Sequence, residues 1–246
     1  MKSTPIQTLE NYEDLSRQVA QIIMNALREK PDLLLCAAAG STPARAYELL
    51  AEQYRRDESS FDQFRVIKLD EWGGIPMNDP GSCETQLRRQ LILPLAISPE
   101  RYLGFRSDST DPEAECARMR SHLELIGPID LCVLGLGTNG HVGMNEPAGY
   151  LQPWSHVATL AEVSLGHTML LRSRVSPTYG LTLGMAEILS SRQILLIVSG
   201  GHKREPFRQL LRHEISTQFP ASFLWLHPNW RLLCDQDAAG NCNLLG

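Results

Sequence analysis

Residues 129–147 read IDLCVLGLGTNGHVGMNEP, and this stretch decides the fold. Its first part, 131–136, is apolar and has the length of a strand that is buried on both faces. Glycines follow, and a buried strand that ends in glycines delivers its loop to the carboxyl edge of a sheet, where open α/β folds bind ligands. The loop carries Asn139, His141 and Glu146. Because glycine lets the backbone approach a ligand closely, we expect these side chains to converge on a small solute.

The rest of the chain repeats the pattern of a short apolar run, a glycine turn and a helix start. Residues 11–30 are predicted to form an amphipathic helix that Asn11 caps. Further strands are predicted at 33–38, 65–69, 193–198 and 230–234. Strands that alternate with helices imply a parallel, right-handed α/β sandwich. Parallel α/β domains often reach 246 residues intact, so we expect one domain over residues 1–246.

The turn Ala-Gly-Ser-Thr-Pro at 39–43 is a candidate phosphate site. Thr42 is predicted to cap a helix that begins at Pro43 and runs to about Tyr54. Free N–H groups at a helix start, with the hydroxyls of Ser41 and Thr42 beside them, favour a phosphate monoester. The same turn is also a generic helix entry, so both interpretations stay open.

Two other strand ends carry charged residues. Asp70 and Glu71 follow the strand at 65–69, where acids either belong to a site or are solvated turn residues. The sequence Ser-Gly-Gly-His-Lys follows the strand at 193–198. Lys203 at that position can contact a phosphate as a point charge, or it can simply be solvated.

Residues 148–178 lack a clear periodicity. An irregular segment of this length is often a lid or a binding loop, and it can also be a surface excursion. We treat 148–178 as a candidate lid. Residues 181–189, in contrast, are predicted to be helical.

Composition points to a small molecule as the partner. The formal net charge of −5 gives no electrostatic footprint for nucleic acid, and no run rich in Lys and Arg indicates an anionic membrane. The N-terminal residues lack the apolar core of a signal peptide, and no stretch approaches the length of a membrane span. We therefore expect a cytoplasmic protein.

The cysteines give no sign of a metal site. They form no CxxC pair and no Cys/His ligand spacing, so we expect reduced thiols and no metal. No motif for a redox cofactor appears, and we expect no cofactor. The six cysteines are at positions 36, 83, 116, 132, 234 and 242.

Three blocks of the sequence resemble one enzyme family. The blocks are AGSTP at 39–43, LDEWGGIP at 69–76 and GLGTNGHVGMNEP at 135–147. In order and spacing, they resemble the sugar-phosphate isomerase/deaminase family that is typified by glucosamine-6-phosphate deaminase and related to 6-phosphogluconolactonase. The resemblance spans nearly the whole chain and implies a three-layer Rossmann-like sandwich with a mostly parallel sheet. The Gly-His-x-x-x-Asn-Glu-Pro pattern is specific to the deaminases, whereas lactonases typically have DGHTASLFP there.

Shorter motifs resemble one branch of this family, the galactosamine-6-phosphate isomerases/deaminases. They include CETQL at 83–87, FRSD at 105–108, LQP at 151–153 and PASFLWLH at 220–227. The branch implies an aldose–ketose isomerisation with loss of ammonia, which converts galactosamine 6-phosphate into tagatose 6-phosphate. Nothing in the composition or the spacing distinguishes a galacto substrate from a gluco substrate.

The resemblance also implies roles for single residues. Asp70 matches the base that removes the proton from C2 and returns it to C1, and a carboxylate can act at a carbon next to a carbonyl. His141 matches the group that moves a proton during ring opening, and Glu146 matches the carboxylate that supports this histidine. The implied phosphate contacts are Gly40, Ser41, Thr42, Lys203 and an arginine of the irregular segment, for which Arg172 is our choice.

Asn139 departs from the pattern of the glucosamine-6-phosphate deaminases, which have aspartate at this position. Asparagine can hydrogen-bond but carries no charge, so ring opening would depend more on Glu146. The galactosamine-type branch also has Asn-Gly-His. We interpret Asn139 as a branch feature, and weakened deamination is the alternative.

Four functions therefore compete. The leading one is a galactosamine-6-phosphate isomerase/deaminase, followed by a glucosamine-6-phosphate deaminase. A 6-phosphogluconolactonase would keep the same phosphate site, but the Asn-Glu-Pro at 145–147 argues against it. A non-catalytic sensor of sugar phosphates would keep the pocket without turnover. A homo-oligomer is compatible with each of them.

Overall fold

The computed structural model describes residues 6–240 of the chain. Within this range the strands are β1 (Ile6–Leu9), β2 (Leu34–Ala37), β3 (Arg65–Lys68), β4 (Asp70–Gly73), β5 (Tyr102–Leu103), β6 (Leu131–Gly135), β7 (His156–Ala158), β8 (Tyr179–Thr182), β9 (Gln193–Val198) and β10 (Trp230–Asp235). The α-helices are α1 (Tyr12–Glu29), α2 (Ser41–Tyr54), α3 (Cys83–Leu87), α4 (Pro112–Ile126), α5 (Glu162–Leu165), α6 (Met185–Leu189), α7 (Arg204–Leu210) and α8 (Gln236–Ala239).

Seven strands form the main sheet in the order β1, β10, β9, β6, β2, β3, β5, and every pair of neighbours is parallel. From β2 the chain moves outward through β3 to β5, and it then returns to β6 on the other side of β2. The strand order thus reverses between β2 and β6. In open α/β sheets, such a reversal leaves a crevice at the carboxyl ends of the two strands.

Two layers of helices enclose this sheet, so the predicted three-layer sandwich with a parallel sheet is confirmed. Neighbouring residues of one strand pack on opposite faces, as the pleat of a strand requires. Leu131 and Val133 of β6 join a buried cluster with α1 and α2. Cys132 and Leu134 join another cluster with α4, α6 and α7. A central strand that is buried on both faces explains the uninterrupted apolar run in the sequence.

Of the two helix caps that the sequence predicts, at Asn11 and Thr42, the structure has the first. The Asn11 side chain accepts a hydrogen bond of 2.9 Å from the Asp14 N–H at the start of α1. The start of α2 differs, because the helix begins at Ser41 and Gly40 is its N-cap with a φ of 114°. The predicted cap at Thr42 is wrong, since the positive φ of Gly40 already turns the chain into the helix.

A second, smaller sheet was not foreseen. It is antiparallel in the order β4, β8, β7. The residues after β3, for which a turn was one of two interpretations, form β4, and the predicted helix at 181–189 is the end of β8 followed by the short α6. Short apolar runs are compatible with either a strand or a helix, and here pairing between distant segments decides.

The segment 148–178 contains β7, α5 and a 3-10 helix at Thr168–Arg172. It is therefore more regular than its sequence indicates, and its action as a lid stays a prediction. Near the C-terminus, α8 follows β10 directly. Cys242 lies outside the described residues. None of the helices between residues 6 and 240 combines the length and the apolar character that crossing a membrane requires.

A buried ionic cluster joins the two sheets. Lys68 at the end of β3 has no exposed surface, and its Nζ lies 2.7 Å from Oε2 of both Glu71 and Glu84. Glu71 also accepts hydrogen bonds of 2.8 Å from the N–H groups of Trp72, Cys83 and Glu84. Burial alone would lower the pKa of Lys68, but attraction by the two carboxylates outweighs it and raises the pKa. The ammonium therefore stays charged.

Lys68→Met tests how much this cluster stabilises the fold. The substitution leaves Glu71 buried without a cation, whereas Glu84 keeps its ion pair with Arg88, so the free energy of unfolding should fall by about 3–5 kcal/mol. Urea denaturation at pH 7.5 measures the loss. The matched control is Arg17→Met, whose ion pairs with Glu13 and Asp14 are exposed and should contribute at most about 1 kcal/mol. Equal losses in the two variants would contradict this account.

Candidate active site

A cavity of about 370 Å³ lies at the carboxyl ends of β2, β3, β6 and β9. Each of these strands is followed by residues of the cavity wall, which include Gly40, Asp70, His141 and Lys203. The wall is completed by part of the segment 148–178. The reversal of strand order therefore brings together residues that are far apart in sequence.

Glycines shape the loop after β6 because two aromatic rings pack against its backbone. A Cβ on Gly137 would lie 2.4 Å from the ring of His141, and one on Gly140 would lie 2.1 Å from the ring of Phe219. Gly140 also has a φ of 86°. The Gly137 N–H donates to the carbonyl of His141 over 2.9 Å, which folds the loop back on the strand end. Only glycine at both positions allows His141 to lie against the end of β6 and line the cavity.

Glu146 is the centre of a hydrogen-bonded group. Nδ1 of His141 lies 3.3 Å from Glu146 Oε2, and Nδ2 of Asn139 donates to the same oxygen over 2.8 Å. The hydroxyl of Ser164 donates to Glu146 Oε1. Burial alone would raise the pKa of Glu146, but the hydrogen bonds from His141, Ser164 and Asn139 lower it below its ordinary value. Glu146 is therefore a carboxylate that can orient the imidazole.

Asp70 lines the cavity from the junction of the two sheets, where Leu69 alone separates β3 from β4. Burial is the main reason that its pKa is raised to about 7, and the nearby Glu71 carboxylate adds to the effect. His141 and Lys68 act in the opposite direction. A carboxyl group with a pKa near neutrality can accept and release a proton at physiological pH.

The third part of the wall suits an anion. Gly40, Ser41 and Thr42 line the cavity at the start of α2, where backbone N–H groups have no partner within the helix. The hydroxyl of Tyr12 donates to the Ser41 carbonyl over 2.6 Å and holds this turn. Burial lowers the pKa of Lys203, and its ammonium group makes no hydrogen bond or ion pair with any other residue between 6 and 240. A partly buried cation without a partner favours a negatively charged ligand.

Comparison with known proteins identifies the family. The profile of the glucosamine-6-phosphate isomerases/6-phosphogluconolactonase family matches residues 8–231. The chain belongs to this family. It is 40% identical to "Putative deaminase AgaI" of Escherichia coli K12, over 92% of this chain and 91% of the relative. It is 35% identical to glucosamine-6-phosphate deaminase 1 of Bacillus subtilis 168, over 95% and 98% of the two chains. The structure of a monomeric glucosamine-6-phosphate deaminase superposes with a TM-score of 0.91 at 35% identity, covering 96% of this chain and 98% of that one.

Most of the site residues that the family resemblance implies meet at the cavity. Asp70, His141, Glu146, Gly40, Ser41, Thr42 and Lys203 line it. Asn139 lies behind Glu146 and contacts it without lining the cavity. Arg172 is exposed and lies outside the cavity wall, so its contact with phosphate stays a prediction.

Sequence reasoning missed several residues of the wall. Ser164 is 4% exposed and lies 3.4 Å from Nδ1 of His141 in addition to its bond with Glu146. His167 and His202 also line the cavity, as does the thiol-bearing Cys83. Ser164 and His167 belong to the segment without periodicity, and no pattern there indicates which side chain faces the site. His202 precedes Lys203 directly in the sequence, and this position was the signal that could have indicated a place in the site.

No metal centre is formed by the part of the chain that the structure describes, in which no three His, Cys, Asp or Glu side chains are grouped to hold an ion. The titratable groups that line the site include the carboxyl groups, the imidazoles and the lysine just described.

Asp70→Asn should stabilise the protein at alkaline pH. An aspartate in an unfolded chain has a pKa of about 3.9, so the stability that Asp70 confers below this value is lost as the pH rises to the folded pKa of about 7. The neutral amide avoids this loss. We expect the free energy of unfolding to exceed that of the wild type by roughly 1–3 kcal/mol at pH 8, with a smaller difference at pH 5.

Urea denaturation at pH 5, 6.5 and 8 measures both proteins. The exposed Asp62→Asn is the control and should show no such pH dependence. A difference between Asp70→Asn and the wild type that stays constant from pH 5 to pH 8 would show that Asp70 is an ordinary, solvated acid.

Proposed function

We propose that the protein converts galactosamine 6-phosphate and water into tagatose 6-phosphate and ammonia. The observation that carries the proposal is the meeting of Asp70, the His141–Glu146 pair and Lys203 around one cavity of about 370 Å³. Its relatives include a deaminase and glucosamine-6-phosphate deaminases, which supports the amino-sugar phosphate class. The galacto configuration is supported by the branch motifs of the sequence.

The first step is opening of the sugar ring. The ring oxygen must gain a proton and the hydroxyl at C1 must lose one, which gives the open-chain aldehyde. His141 can perform this transfer because an imidazole both accepts and donates protons near neutral pH. Glu146 lies 3.3 Å from Nδ1 and orients the ring.

The second step moves a proton between neighbouring carbons. Asp70 removes the proton from C2, which the aldehyde at C1 acidifies, and returns it to C1. The C2 carbon then carries an imine, and addition of water releases ammonia and leaves the ketone. A base with a pKa of about 7 is half ionised near pH 7, so it can take the proton and give it back with little driving force lost.

The third requirement is a fixed position for a flexible substrate. Binding of the phosphate by Lys203 and the start of α2 would anchor C6, while C1 and C2 lie near Asp70. Anchoring one end of the substrate lowers the entropic cost of reaching the reactive geometry. The glycine and hydroxyl residues at 40–42 leave room for the phosphate against the backbone.

Ammonia release tests the proposal. Purified protein is assayed with galactosamine 6-phosphate and glucosamine 6-phosphate in parallel, and we expect kcat/KM to favour the galacto sugar by about tenfold or more, which corresponds to about 1.4 kcal/mol. Preference for the gluco sugar would keep the mechanism and assign the alternative, a glucosamine-6-phosphate deaminase. Binding of both sugars without ammonia release would indicate a sensor.

Asp70→Asn should abolish turnover and retain binding, because the base acts in proton transfer.

Ser164→Ala should lower kcat more than it changes KM. The substitution removes a hydrogen bond to Glu146, which raises the pKa of Glu146 and frees the His141 ring. We expect kcat to fall about tenfold, KM to change less than about threefold, and the acidic limb of the pH profile to move to higher pH.

The control for Ser164→Ala is Ser155→Ala, since Ser155 lies in the same segment but bonds to Glu187 at 2.8 Å, away from the cavity wall. Similar losses of kcat in the two variants would mean that Ser164 acts through the folding of the segment and not through Glu146.

A further inference from the structure

The cavity has few permanent positive charges for a ligand that carries a phosphate. Lys203 is the one lysine or arginine in the part of its wall that the structure describes. Two carboxyl groups, Asp70 and Glu146, share the same wall. A phosphate ester carries close to two negative charges at neutral pH, and one lysine cannot balance it beside these acids. The N–H groups at the start of α2 supply part of the missing positive charge, and other groups of the wall can add to it.

Two histidines lie where this charge is needed. His202 directly precedes Lys203, and His167 enters the wall from the segment 148–178. Burial lowers the pKa of both, and the positive charge of Lys203 is the next largest cause for each of them. Each imidazole is therefore close enough to the Lys203 ammonium to be affected by its charge.

Hydrogen bonding leaves donors on both rings for a ligand. Nδ1 of His167 accepts from the Met169 N–H over 3.2 Å, so in the neutral ring the proton must be on Nε2. Proton uptake at Nδ1 breaks this bond, so it requires a bound anion whose charge outweighs the loss. That Nε2–H group has no hydrogen-bond partner among residues 6–240. The ring of His202 makes no hydrogen bond within the same part of the chain. Unpaired donors beside an unpaired lysine form a site for oxygen acceptors.

The rings of His167 and His202 are exposed at the cavity wall, and contacts of neighbouring residues hold the turns that carry them. The rings of His167 and Trp72 have centroids 6.2 Å apart, and Met169 is buried in the same small cluster as Trp72. The loop before His202 is fixed by Asp235, which accepts from the Gly200 N–H at 3.1 Å and from the Ser199 hydroxyl at 2.5 Å. The two turns that carry the imidazoles are therefore preorganised.

We propose that His167 and His202 bind the substrate phosphate together with Lys203, and that they take up protons as it binds. The proposal rests on the proposed function, because the phosphate of the amino sugar is the ligand concerned. It assigns to two imidazoles the part for which the sequence analysis expected an arginine. In this structure Arg172 is exposed and lies outside the cavity wall.

Binding should then weaken as the pH rises. The charged and titratable neighbours of His167 are Lys203 and His141, and those of His202 are Lys203 and Asp235. Asp70 and Glu146 share the cavity wall with both. A bound dianion favours imidazolium, so it raises the pKa of both histidines from their lowered values in the free protein. Affinity is highest below the pKa of the bound state and falls as the pH passes through it.

Histidine NMR measures this effect directly. The probe is inorganic sulfate, a dianion that does not itself titrate between pH 5.5 and about 8.5, so any change in protonation belongs to the protein. The Cε1–H resonances of the seven histidines are followed against pH with and without sulfate, and His167→Gln and His202→Gln assign two of them. We expect these two resonances to titrate at higher pH by about one unit with sulfate.

The internal control is His122, which is exposed on α4 and should show the same titration under both conditions. Unchanged titration of His167 and His202 at saturating sulfate, as judged from the shift of any Lys203 resonance, would overturn the proposal. So would an equal shift of His122, because it would reflect a general salt effect.

Kinetics separate this proposal from the proposed function. In the double variant His167→Gln/His202→Gln we expect KM for the amino-sugar 6-phosphate to rise about tenfold or more at pH 6.5, while kcat falls less than about threefold. Ammonia release with an unchanged KM would keep the deaminase and remove the histidines from the phosphate site. A sulfate-dependent shift in a protein that releases no ammonia would keep the anion site and reject the deaminase. His122→Gln serves as the matched variant and should retain the wild-type KM.

Discussion

The buried ion pair between Lys68 and Glu71 is the interaction on which the site depends. It lies at the point where the chain leaves the parallel sheet and enters the antiparallel one, with Leu69 and Asp70 between the two charged residues. Glu71 also binds the first N–H groups of α3. These contacts fix the two sheets and α3 around Asp70. Because an unpaired charge is costly in a buried site, the geometry depends on both the ammonium and its carboxylates.

Much of the main sheet was predictable from the sequence, because its strands are buried on both faces. The strand at 193–198 was predicted with the bounds that the structure gives, and β6 and β10 differ by one residue at an end. The small antiparallel sheet was not predictable, since β4 and β8 each pair with a segment that is distant in sequence. Their residues alone fit a turn and a helix. β1 was missed as well, because its four residues have no burial pattern that distinguishes a strand.

The candidate site was predictable where residues follow buried strands. Asp70, His141, Glu146 and Lys203 all occupy such positions, and the parallel sheet brings its carboxyl ends together. The contributions of Ser164 and His167 could not be inferred, because their segment reaches the cavity through tertiary packing around Trp72 and Met169. Arg172 was inferred from the family resemblance alone; it is exposed and lies outside the cavity wall, and its contact with phosphate stays a prediction.

The first and last strands of the main sheet are neighbours in space. β1 pairs with β10, with Ile6 opposite Leu232, so the edge of the sheet joins residues more than two hundred positions apart. During synthesis, β1 is made first, and its hydrogen-bonding partner β10 is made only near the end of the chain. Contacts of such large sequence separation slow folding, because the chain loses entropy on closing the loop before the pairing of the strands compensates for that loss. The same closeness of the described chain ends makes the fold a good candidate for circular permutation, with a new start in a surface loop.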